Sequence, residues 1–189
     1  MPPFCGLALL ALWFGAISPC LGTAGLTGLA AARAGNQFIP PQAKDEVTAI
    51  YSEKTQGGLD PAIWRIDYFD PSTSFKTTEV EFTGGKVTKI SQPKHVLHLL
   101  VGVKKLNWRK MKIDSDQALA TALKDPVMKG FQLEADQFWL RRSPTDPIWE
   151  IRFWATRLGH PGKTMKIGQI FISARDGMVV KNELLPGEK

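Results

Sequence analysis

Pro147-Ile148-Trp149-Glu150-Ile151-Arg152-Phe153-Trp154 decides the fold class. Trp149, Ile151 and Phe153 alternate with the polar Glu150 and Arg152. That period of two places apolar side chains on one face of a strand and leaves the other face wet. Asp146-Pro147 opens the run, because proline pushes the residue before it out of the helical region and ends whatever precedes. The same pattern stands 85 residues earlier, Trp to Trp, in Asp60-Pro61-Ala62-Ile63-Trp64-Arg65-Ile66-Asp67-Tyr68-Phe69. Here Trp64, Ile66 and Tyr68 hold the phase, with Arg65 and Asp67 between them. A shared I-W-x-I-x-aromatic core points to an internal duplication.

Each copy runs on into a hairpin. In the first, Glu79 to Phe82 alternates, Gly84-Gly85 can take the two positive φ values of a type I′ turn, and Lys86 to Ile90 returns. In the second, Gln169 to Ala174 leads into Asp176-Gly177, and Met178 to Lys181 returns. The stretch between Leu158 and Lys163 supplies the longer, exposed connection of the second copy. A helix is expected before each Trp strand. Val47, Ile50, Tyr51 and Lys54 fall on one face of the first, with Gly57 to close it. In the second, Asp114 with Gln117 resembles a capping box, and Ala118, Leu119, Ala122 and Leu123 form the buried stripe up to Asp125-Pro126. Phe131 to Ala135 and Phe138 to Arg142 read as one or two further strands, for which the first copy has no room. His95 to Val103, HVLHLLVGV, suits a buried helix or a buried strand, and a short helix is expected. The expected fold class is therefore α+β: two repeated units, each a helix packed on a small antiparallel sheet with a β-hairpin. Residues 35–92 form the first, abbreviated unit, 93–112 an apolar and basic connector, and 113–189 the second unit.

Residues 1–34 read as a signal peptide. Gly6 to Ile17 carries no charge and is too short to span a hydrocarbon core of roughly 30 Å. Ala32-Arg33-Ala34 supplies small residues at the two positions a signal peptidase reads, so cleavage is expected after Ala34; Gly22-Thr23-Ala24 offers an earlier site. Ile17-Ser18-Pro19-Cys20 departs from a lipoprotein box at Pro19, which argues against lipid anchoring. Both cysteines, Cys5 and Cys20, lie in this segment, so the mature chain would carry no thiol, as suits a periplasmic or secreted protein. No later run approaches a membrane span. With 24 Lys and Arg against 18 Asp and Glu, the charge excess is too small for a nucleic-acid stripe.

The second copy resembles the PepSY family of extracytoplasmic domains. Three stretches carry the resemblance: Ile113-Asp114-Ser115-Asp116-Gln117-Ala118-Leu119, Pro147 to Phe153, and Ile170 to Val180 with its Asp-Gly turn. It implies an exported, non-catalytic protein that binds or restrains a peptidase or peptide in the cell envelope. The family motif carries no catalytic residues to transfer.

No cofactor, metal or catalytic residue is expected. His95 and His98 stand at i, i+3, but no third ligand follows at useful spacing. His160 lies in a Gly-Pro loop. Gly162-Lys163-Thr164 lacks the first glycine of a phosphate loop, and no nucleophile motif is present. Lys104-Lys105, Arg109-Lys110 and Lys112 around Trp108 read as a solvated basic face. The candidate partner-binding strand is Phe138-Trp139-Leu140-Arg141-Arg142, in which Trp139, Arg141 and Arg142 offer an aromatic and two positive charges to an acidic or extended peptide. The rival reading is a small-ligand-binding or hydrolase-like protein with a pocket between the two units.

Overall fold

The computed structural model describes residues 25–94, 105–107, 110–144, 146–159 and 162–185. Helix α1 (Gly28–Gly35) leads through a 3-10 turn (Pro41–Ala43) into four strands: β1 (Val47–Ser52), β2 (Ile63–Phe69), β3 (Thr77–Thr83) and β4 (Lys86–Ser91). Helix α2 (Ser115–Ala122) and a second 3-10 turn (Pro126–Gly130) precede four more: β5 (Phe131–Arg142), β6 (Pro147–Arg157), β7 (Met165–Ser173) and β8 (Val179–Leu184). All eight strands belong to one sheet in the order β4-β3-β2-β1-β5-β6-β7-β8, and every neighbouring pair is antiparallel.

The expected fold class is thereby corrected. Among the described residues the protein is mainly one continuous antiparallel sheet with two short helices, not two helix-on-sheet units. The stretch expected as the first helix, Val47 to Lys54, is instead β1 and its exit. Its spacing of apolar residues also satisfies a strand: Ile50 pairs with Ile66 on one side and Leu140 on the other, and this central position outweighs weak helical periodicity. Phe131 to Arg142 is one twelve-residue strand with a bulge between Leu133 and Ala135.

One transverse row of paired residues fixes the inside of the sheet: Ile90, Val80, Ile66, Ile50, Leu140, Trp149, Ile172 and Val179, one from each strand. The six inner members are fully buried, and only the edge residues Ile90 and Val179 are exposed. Both helices pack on this face, their small residues letting the aromatics close over the centre. A Cβ on Gly28 would stand 2.6 Å from the Trp149 ring, so α1 can approach that ring only with glycine there. Trp64 and Trp149, one from each half of the sheet, meet edge to face at 6.3 Å, and Phe138 touches both at 5.6 and 6.1 Å.

Asp114 ties the helices together. It caps α2 in a capping box with Gln117 while accepting from Thr27 Oγ1 at 2.7 Å and from Leu29 N at 2.9 Å at the start of α1. Ser115 Oγ accepts from Gly28 N at 3.0 Å. At the far end of α1 the Tyr68 hydroxyl donates to Ala32 O at 2.5 Å, and burial pushes its acidity far below that of a free tyrosine. Cleavage after Ala34 would remove seven of the eight residues of this core helix. The Gly84-Gly85 turn has φ of 55° and 78°, as a type I′ hairpin requires, and Gly177 is likewise left-handed at 77°.

Candidate binding face

The residues beside the apolar row in sequence, with Lys181 set two past Val179 by the bulge in the β7–β8 pairing, form a second row on the opposite face, on which neither described helix packs: Lys89, Glu81, Arg65, Tyr51, Trp139, Glu150, Phe171 and Lys181. Alternation along each strand makes this face inevitable once the core row is buried. At its centre, where β1 meets β5, Tyr51 and Trp139 stack with ring centroids 5.3 Å apart and planes inclined by 23°. The Arg152 guanidinium lies 5.7 Å from the Trp139 ring centroid. Glu150, only 1% exposed at its side chain, is held between two arginines: Arg141 bonds one carboxylate oxygen, and Arg152 reaches the other at 2.6 and 2.8 Å. A buried carboxylate is tolerated there because both oxygens are paired. On the other side Arg65 Nε donates to Glu81 at 2.9 Å, which holds the Glu81 carboxyl below its ordinary acidity range. The Tyr51 hydroxyl donates to Glu79, and burial with the negative charges of Asp67 and Glu79 raises its pKa far above that of free tyrosine.

Three residues along β5 from Trp139, about 10 Å at strand rise, the β5–β6 turn opens into a polar pocket of about 300 Å³. Lys105, Lys110, Arg142 and Ser143 line it together with Asp146. Lys110 Nζ lies 3.2 Å from Asp146 Oδ1, and Arg175 Nη1 lies 3.2 Å from Asp146 Oδ2, while Lys105 pairs with Glu46 at 2.5 Å. The basic stretch expected to be merely solvated thus shares a pocket with the candidate strand.

The three candidate residues are placed as follows. Trp139 is half-buried on the outer face, Arg141 pairs with Glu150 on that face, and Arg142 is exposed at the pocket. The strand itself lies at the middle of the sheet, paired with β6 throughout and with β1 at Trp139 and Leu140. Capture of a peptide by its main chain is therefore ruled out here; only side chains are on offer. Among the described residues the edges of the sheet are β4 and β8, which carry Lys86, Lys89 and Lys181, charges that oppose strand addition. Sequence reading missed Tyr51, assigned to a helix, and Glu150 and Arg152, whose parity opposite Trp149 was the available signal.

His95, His98, His160, Trp108 and Arg109 lie outside the described residues. Among the described residues no three His, Cys, Asp or Glu side chains gather as a metal site, and no helix is long and apolar enough to cross a membrane. One further acid stands out. Asp136, on β5 beside the bulge, is fully buried with neither carboxylate oxygen hydrogen-bonded, and burial, reinforced by the charge of Asp60, pushes its pKa up to about 7. Its backbone is clipped by Thr55, whose Oγ1 accepts from Asp136 N at 2.8 Å and whose N donates to Asp136 O at 2.8 Å. Comparison with protein-family models, with curated proteins and with solved structures gives no match.

Proposed function

We propose that this chain is an exported, non-catalytic binding protein whose outer sheet face, opposite the two described helices, holds an acidic, extended stretch of a protein partner in the cell envelope. A peptidase is the partner class that the PepSY resemblance implies. The observation that carries the reading is the Tyr51–Trp139 stack flanked on the same face by the Arg152 and Arg141 guanidiniums. Trp, Tyr and Arg are the residue types that dominate binding energy at protein interfaces, and nothing in the packing of the core requires them on this face. Ile50, Leu140, Trp64, Trp149 and Phe138 fill the centre of the seam between the halves with apolar side chains. The rival reading would use the cavity of about 550 Å³ that opens between residues 54–57 and 132–135, away from the centre of the seam.

The test is fluorescence anisotropy with a labelled decapeptide rich in Glu and containing one Trp. Binding is expected to weaken about tenfold or more in Trp139→Ala and to fall with added salt, less steeply in Arg141→Gln. His95, His98 and His160 to Ala changes are expected to leave it unaltered. Equal affinity for a neutral peptide of the same length would overturn the proposal.

A further inference from the structure

The N-terminal helix carries an inference about maturation. It rests on the export reading and goes beyond it to a particular bond and a particular ion pair. We infer that signal peptidase cuts between Ala24 and Gly25, and that the α-ammonium created on Gly25 pairs with the carboxylate of Asp60.

Two independent observations meet at this bond. The first is packing. Leu29, Ala31 and Ala32 are buried at 2%, 0% and 0% exposure, Gly28 lies against the Trp149 and Trp64 rings, and Gly35 lies against the Tyr68 hydroxyl. Thr27, Gly28 and Leu29 are bonded to Asp114 and Ser115. A mature protein beginning at Gly35 would lose this helix, leave two tryptophans open to water and free the Tyr68 hydroxyl. A segment so built into the core has to survive processing. The bond must therefore lie before Thr27, and Gly22-Thr23-Ala24 is the small-x-small site there. It follows the apolar run ending at Ile17 by seven residues, 18–24, an ordinary spacing for a cleavage region.

The second observation concerns charge. A Cβ on Gly25 would stand 2.3 and 2.8 Å from the two carboxylate oxygens of Asp60, so the main chain at residue 25 lies directly against that carboxylate. No hydrogen bond or ion pair engages the Asp60 side chain among the described residues. Hydrolysis adds water across the Ala24–Gly25 amide, leaving a carboxylate on Ala24 and an amine on Gly25 that is protonated at neutral pH. The new cation arises beside an acid that has no counter-charge among the described residues. A side chain at position 25 would push the Asp60 carboxylate aside, so glycine there permits the close approach on which the pair depends.

The test is expression of the full chain in a bacterium with a working secretion pathway, followed by N-terminal sequencing and intact mass of the product. A start at Gly25 is expected. A start at Gly35 would overturn this inference and leave export standing, whereas an unprocessed cytoplasmic chain would overturn the export reading and this inference with it. The ion pair is read separately by NMR titration of the mature N-terminus. Its pKa is expected above the ordinary range of about 7.7–8.0, returning to that range in Asp60→Asn. An identical titration in both proteins would remove the pair. Refolding of chains beginning at Gly25 and at Gly35 gives a third readout: equal melting temperatures would show that α1 is dispensable and sink the packing argument.

Discussion

The two faces of the sheet are built from neighbouring residues of the same eight strands, yet they obey different rules. The row from Ile90 to Val179 is apolar in every strand and buried at its six central positions. Its neighbour, from Lys89 to Lys181, combines five charged residues with three aromatics and, Glu150 apart, stays partly open to water. Burial of apolar area explains the first row completely. It does not explain why Trp139 and Tyr51 meet on the second, where Thr or Lys would satisfy a strand as well. The inner face is what folds the chain, and the outer face is where selection for something other than folding can be read.

The contrast is broken most directly by Trp149→Ala. The substitution empties the centre of the inner row and also removes the Trp149 Nε1 bond to Ile113 O at 2.9 Å. A loss of about 3–5 kcal/mol in urea unfolding is expected. A loss below about 1 kcal/mol would mean that the inner row is not the core.

Asp136 is the exception on the buried side, and it gives the contrast a pH dependence. Its folded pKa of about 7 lies above the ordinary carboxylate value, so between about pH 4 and 7 the folded state binds the extra proton. Stability from this group is full below the unfolded pKa and is lost as pH rises through the folded one. Asp136→Asn is expected to raise stability at pH 8 by roughly 2–4 kcal/mol and to change it little at pH 3.5. Melting curves at the two pH values check this, and an equal shift at both would assign the effect to packing.

Gly28→Val sharpens the role of α1. The added carbons collide with the rings of Trp149 and Trp64, and overpacking of this kind costs about 1–3 kcal/mol. Thermal denaturation of the variant measures it. The smallest stability effect is expected on the outer face. Trp139→Ala loses one stacked ring and should cost about 1 kcal/mol or less, while weakening capture of the acidic peptide. A Trp139 variant that unfolds would move this residue into the core and erase the difference between the faces.

The local rules were legible in the chain. Alternation around Trp64 and Trp149, the capping box at Asp114 and Gln117, and the Gly84-Gly85 turn each depend on residues a few positions apart, and each appears as read. Trp139, Arg141 and Arg142 could be singled out for their types. Their setting could not. Whether β5 is an edge or the middle of a sheet depends on Ile50 and Tyr51, almost ninety residues away, pairing with Leu140 and Trp139. That pairing turns the expected first helix into a strand and merges two small sheets into one. It also closes the main-chain edge on which peptide capture would have depended. The N-terminal helix shows the same limit. Gly28–Gly35 is composed, Leu29 and Arg33 apart, of small residues that suit a cleavage region as well as a tight helix contact. Composition alone cannot separate the two, because what distinguishes them is the fit of glycine and alanine against Trp64, Trp149 and Tyr68, and those rings arrive only when the sheet has assembled.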